Sequence, residues 1–153
     1  MNKFLKAILI LSLVIFSAVG LSGCSSEKEK IAKEYTGVWQ AEQKNAWSGS
    51  DQRIFLILEP NKTNENILDV TVRIFDKNNS KFSAHNKELE MLKDDKTSAI
   101  IDEKTKTVQL QDPFKTWLPI TTEGDKKIMN YNASKFVKIS DEPKAPELQS
   151  VKF

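Results

Sequence analysis

Ile67-Leu68-Asp69-Val70-Thr71-Val72-Arg73-Ile74-Phe75-Asp76 is the stretch that decides the fold. Leu68, Val70, Val72 and Ile74 point one way, and Asp69, Thr71 and Arg73 point the other. A period of two belongs to a strand with one face on a core. Upstream, Gln52–Leu58 contains Ile54-Phe55-Leu56-Ile57-Leu58, apolar throughout, which predicts a strand covered on both faces. Pro60-Asn61-Lys62-Thr63-Asn64 ends that strand, and Lys77-Asn78-Asn79-Ser80 turns the chain after the next one.

The same grammar extends outward. Gly37–Gln43 precedes these strands. Lys81–His85, Glu88–Leu92, Thr97–Asp102, Thr105–Gln111, Trp117–Thr122, Lys126–Tyr131 and Lys135–Ser140 follow them. Asp94-Asp95, Glu103-Lys104, Glu123-Gly124-Asp125 and Asn132-Ala133 read as their connections. Short strands recurring about every 8–12 residues predict an all-β domain over 36–140, a small antiparallel β-barrel or a sandwich. Before it, residues 28–35 form a brief helix with Ile31 and Tyr35 on one face. After it, 141–153, with Pro143 and Pro146, reads as a flexible tail.

The first residues follow different rules. Lys3 and Lys6 precede an apolar run from Ala7 to Phe16, and small residues then lead to Leu21-Ser22-Gly23-Cys24. A positive start, an apolar middle and a small-residue cleavage site make residues 1–23 a signal peptide. The run is shorter than the roughly 20 apolar residues of a membrane span. Leu21-Ser22-Gly23-Cys24 resembles the lipobox of bacterial lipoproteins position for position, and Cys24 is the only cysteine. That resemblance implies a diacylglycerol thioether on Cys24, cleavage before it, and a further acyl chain such as palmitate on the new amino group. Residues 24–35 would then be a lipidated tether, and the protein a membrane-anchored part of the cell envelope. Each buried methylene contributes about 0.8 kcal/mol, so two or three chains anchor durably. Ser25, rather than Asp, follows Cys24. By the lipoprotein rule this implies the outer membrane in a Gram-negative host. In a Gram-positive host the anchor implies the outer face of the cell membrane.

A second resemblance concerns the domain. A short helix followed by Gly37-Val38-Trp39 in the first strand is similar to the opening of lipocalin-like (calycin-like) barrels. It implies that Trp39 closes one barrel end against a basic side chain near the last strand, here Lys138 in Phe136-Val137-Lys138-Ile139. Trp39 reads equally well as a large core residue of any β domain.

Charge narrows the function classes. Of 23 Lys and Arg, only Lys3 and Lys6 lie in residues 1–23, which hold none of the 21 Asp and Glu. The remainder is formally neutral, and nothing in it argues for nucleic acid, which needs a basic face. With Cys24 acylated no thiol remains, so a core without disulfides holds the domain. His85 is the only histidine, no Gly-x-Ser-x-Gly elbow or P-loop is present, and the carboxylate pairs fall in turn-like contexts. We therefore expect no enzyme, no metal and no cofactor. The expected function is a binding or interaction module for a protein, a glycan or a small apolar ligand. The alternative is a lipocalin-like carrier with an internal cavity, and a carboxylate-based hydrolase ranks last. Candidate binding residues are Trp47, in Asn45-Ala46-Trp47-Ser48-Gly49-Ser50, and Phe114 and Trp117, in the loop-like run from Asp112 to Pro119. Aromatic side chains on loops are frequent contact residues. For Phe114 and Trp117 the preferred reading is that they fold back and cover a barrel end; for Trp47 the two readings stand even.

Overall fold

The computed structural model describes residues 26–42, 52–77, 89–131 and 134–147. Helix α1 (Glu27–Tyr35) leads into eight strands: β1 (Gly37–Ala41), β2 (Gln52–Pro60), β3 (Ile67–Lys77), β4 (Leu89–Asp102), β5 (Thr107–Leu110), β6 (Ile120–Glu123), β7 (Lys126–Tyr131) and β8 (Ser134–Ser140). All ladders are antiparallel, in the order β5-β4-β3-β2-β1-β8-β7-β6. Except for β5 and β6, neighbours in sequence are neighbours in the sheet, and β1 also pairs with β8, so a meander curls into a barrel-like sheet. The two edges, β5 and β6, meet along the segment before β6. There the Leu110 N–H donates to the Thr116 carbonyl, and the Leu118 N–H to the Val108 carbonyl, around a Gln109–Trp117 bridge.

Local chemistry starts α1. The Ser26 hydroxyl accepts from the Glu29 N–H at 3.2 Å, and Glu27 and Glu29 place negative charge at the positive end of the helix dipole. Ile31 and Tyr35, four residues apart, are buried against the sheet. Gly37 then passes so close to β8 that a Cβ would penetrate the Ser140 carbonyl oxygen, and its φ of +132° suits only glycine.

Inside the curl, Trp39, Leu56, Leu58, Leu68, Val70, Val108, Leu110, Leu118, Met129 and Phe136 pack together with Ile31 and Tyr35 from α1. Fully burying an aliphatic or aromatic side chain contributes about 1.5–3 kcal/mol, so this inner cluster dominates stability. The alternation over Ile67–Asp76 appears as expected: Leu68 and Val70 are buried and Val72 packs on the same cluster.

The double-faced run of β2 is also as expected. Leu56 and Leu58 face inward, while Phe55 and Ile57 join Val38 and Phe75 in a second cluster outside. Phe55 and Phe75 meet edge to face at 5.9 Å. The cover comes from the C-terminal segment. Ala145 packs on the outer cluster, and Arg73 Nη1 donates to the Pro146 carbonyl at 3.1 Å. Residues 141–147 of the expected tail thus lie along the outer face of the sheet.

One strand differs from the sequence reading. Glu88–Leu92 and Thr97–Asp102 were expected to be separated by a turn at Asp94-Asp95, but β4 runs unbroken from Leu89 to Asp102. The reason is Arg73, opposite Asp94 in the ladder. Its guanidinium donates to both carboxylate oxygens of Asp94, at 3.1 and 3.0 Å, and this fork gives the acidic residue a partner within the sheet. The expected strand Lys81–His85 lies outside the described residues.

Candidate interaction surface

The helix end of the barrel is built around Tyr35, Trp39 and Lys138. The Trp39 indole N–H donates to the Tyr35 carbonyl at 2.8 Å, and the Tyr35 hydroxyl donates to the Leu118 carbonyl at 2.6 Å. Both aromatics are therefore buried with their polar atoms satisfied. Burial pushes the Tyr35 hydroxyl pKa up to about 12. Trp39 and Lys138 are register partners across β1 and β8, and the Lys138 ammonium lies 5.6 Å from the centre of the Trp39 ring. It also donates to the Glu34 carbonyl at 2.9 Å and pairs with Asp141 at 2.7 Å. The Lys138 ammonium hydrogen bond holds the Asp141 carboxyl below its usual range. This arrangement ties together helix, first strand, last strand and tail.

The β5–β6 connection has the opposite character. Asp112 braces it: its carboxylate accepts from the Thr116 N–H at 2.9 Å and from the Thr116 hydroxyl at 2.8 Å, and its carbonyl accepts from the Lys115 N–H at 3.0 Å. Lys115 adopts the left-handed conformation, φ +48°, which tightens the turn. The result is an ordered loop that projects Phe114, 85 % exposed, with Trp117 45 % exposed. Neither side chain covers the core. Leu118 faces inward, so Trp117 faces out, and across the bridge and the β4–β5 ladder it shares the outer face with Gln109 and Ile100. Ile100 is 42 % exposed, and Ile67 continues the row on β3.

The sequence reading missed Ile100. Its signal was the pair Ile100-Ile101 in a strand, where consecutive side chains face opposite ways, so one had to point outward. Of the other candidates, Cys24 and Trp47 lie outside the described residues, as does His85. β5 runs away from the β4–β5 turn, and the β5–β6 connection leaves it beside Ser98, where the Gln111 N–H donates to the Ser98 carbonyl.

The carboxylates of the hydrolase reading are engaged. Asp94 is held below its usual pKa chiefly by the Arg73 hydrogen bond. Asp102 is lowered chiefly by the Lys104 N–H, which its carboxylate accepts at 2.9 Å while also accepting the Thr105 hydroxyl. Both are held as anions, one in a ladder pair and one in a turn. Among the described residues no cluster of His, Cys, Asp and Glu is suited to hold a metal, and no helix is long and apolar enough to cross a membrane. No protein-family model, curated protein or solved structure matches this chain.

Proposed function

We propose that the chain is a lipid-anchored lipoprotein of the bacterial cell envelope, acting as a non-enzymatic module that binds another envelope protein. The anchor rests on the lipobox-like Leu21-Ser22-Gly23-Cys24. The observation that carries the module is the Asp112-braced loop, which holds Phe114 in solvent and leads to Trp117 on the outer face that carries Ile100. An aromatic side chain on a pre-ordered loop loses little freedom on docking, and aromatic anchors dominate interface energetics. The interior is occupied by buried side chains, among them Trp39, Tyr35 and Met129, which favours contact from outside over cargo carried within. Trp47, on the β1–β2 connection, is a second contact candidate.

Two experiments test this reading. Mass spectrometry of the native protein should find acyl chains on Cys24, and Cys24→Ser should leave an unprocessed precursor; a free thiol at Cys24 removes the anchor. Crosslinking in native membranes should capture a partner with the wild type. Phe114→Ala combined with Trp117→Ala should lose it at an unchanged melting temperature, and Trp47→Ala should weaken it. A partner retained by the double variant refutes the aromatic surface.

A further inference from the structure

We infer that the α1 end of the barrel rests on the headgroup layer of the bilayer, so that the domain stands on the membrane in a fixed orientation. This inference rests on the reading of Cys24 as the acylated residue. Only a short link separates that residue from rigid structure. Helix α1 begins at Glu27 under the Ser26 cap. Three residue steps from Cys24 span at most about 10 Å fully extended. The tether expected over 24–35 is thus helix for most of its length.

Nor is α1 free to swing. Ile31 and Tyr35 are buried in the core, and the Tyr35 hydroxyl is bonded to the Leu118 carbonyl. Its first turns are fixed to the barrel rim. Lys28 pairs with Glu65 of the β2–β3 turn at 3.6 Å and with Glu103 of the β4–β5 turn at 3.5 Å, and Glu27 pairs with Lys106 at 3.4 Å. Such exposed pairs contribute little stability individually, but together they place both turns beside the helix start. Whatever holds Cys24 at the bilayer therefore holds this rim there too.

The rim chemistry suits a headgroup layer. Lys28, Lys30, Lys62, Lys104 and Lys106 alternate with Glu27, Glu29, Glu65 and Glu103 around the helix start. Mixed charge of this kind fits zwitterionic headgroups, which present both signs. It gives no preference for an anionic surface, which draws clustered Lys and Arg. The tether, not net charge, sets the contact. β5 runs away from this rim, so the loop carrying Phe114 stands further from the membrane than Lys62 and Lys104.

The test places a nitroxide at Lys62→Cys, Lys104→Cys or Phe114→Cys, one at a time, in the full acylated protein. Cys24 is blocked by its lipid, so each label is unique. The protein sits in phosphatidylcholine vesicles doped with a nickel-chelating lipid. Relaxation by nickel should be several-fold stronger at positions 62 and 104 than at 114. Replacing part of the phosphatidylcholine with phosphatidylglycerol should not change this. A flexible Gly-Ser insertion between Ser25 and Ser26 should abolish the contrast. Equal relaxation at all three sites, or stronger relaxation at 114, overturns the inference while mass spectrometry still shows acylated Cys24. An unacylated Cys24 instead overturns the lipoprotein reading on which the inference rests.

Discussion

Tyr35 and Trp39 at the helix end, and Phe114 and Trp117 on the β5–β6 loop, are aromatic pairs with opposite placements. The first pair is buried, with hydroxyl and indole N–H bonded to carbonyls within reach. The second pair stands in solvent on a loop that Asp112 makes rigid. Hydrophobicity does not separate them. Strand phase does: Trp39 lies on the inward side of β1, whereas Trp117 lies one position out of phase, beside inward-facing Leu118. An aromatic that the fold neither buries nor needs is available to something else.

The contrast is sharpest in stability. Trp39→Ala should cost about 3–5 kcal/mol, because it removes a buried aromatic and leaves a void at the barrel end. Domains of this size hold only about 5–15 kcal/mol in total. Urea unfolding of a soluble form lacking residues 1–24 would read the loss. A cost below about 1 kcal/mol, the range of exposed sites, would place Trp39 outside the core.

Tyr35→Phe should cost less, about 1–3 kcal/mol at neutral pH, because it leaves the Leu118 carbonyl without its donor. It should also change the pH profile. The folded-state pKa of Tyr35 is raised to about 12 from its ordinary 10, because burial disfavours the phenolate. Its contribution is therefore fully present below pH 10 and is lost as pH rises from 10 through 12. The shift corresponds to about 2–3 kcal/mol at the top of that window. Tyr35→Phe should flatten this alkaline fall relative to the wild type; an unchanged slope would show that Tyr35 is not the group responsible.

The smallest effects belong to the exposed pair. Phe114→Ala and Trp117→Ala should each change stability by no more than about 0.5 kcal/mol. A large loss in either would erase the distinction between the two pairs and the interaction surface with it.

Periodicity carried the fold. The alternation over Ile67–Asp76 and the continuous apolar run of β2 could be read directly, because each side chain's direction follows from its neighbours. Asp94-Asp95 misled because a local pair of acids reads as a turn. The residue that keeps it in a strand, Arg73, is distant in sequence and adjacent only across the ladder. The outer cover on Phe55 and Ile57 was legible as a requirement but not as a source. Ala145 and Pro146 sit in a segment with no periodicity. For the surface, Phe114 and Trp117 were visible as aromatics outside clean alternation. Their exposure was not, since it depends on where the barrel edges meet.

The pairing of the first strand with the last has a consequence for how the chain comes to be folded. Polypeptides are made N-terminus first, and β1 gains β2 early but completes its other edge only when β8 arrives, with Trp39 opposite Lys138. The outer cluster of Val38, Phe55, Ile57 and Phe75 waits longer still, for Ala145. A nascent chain therefore carries an unpaired strand edge until β8 is made and a bare apolar patch until Ala145 is made, a state prone to wrong pairing. Contacts so distant in sequence also form slowly. The domain's most vulnerable moment is the interval before β8 and Ala145 reach it.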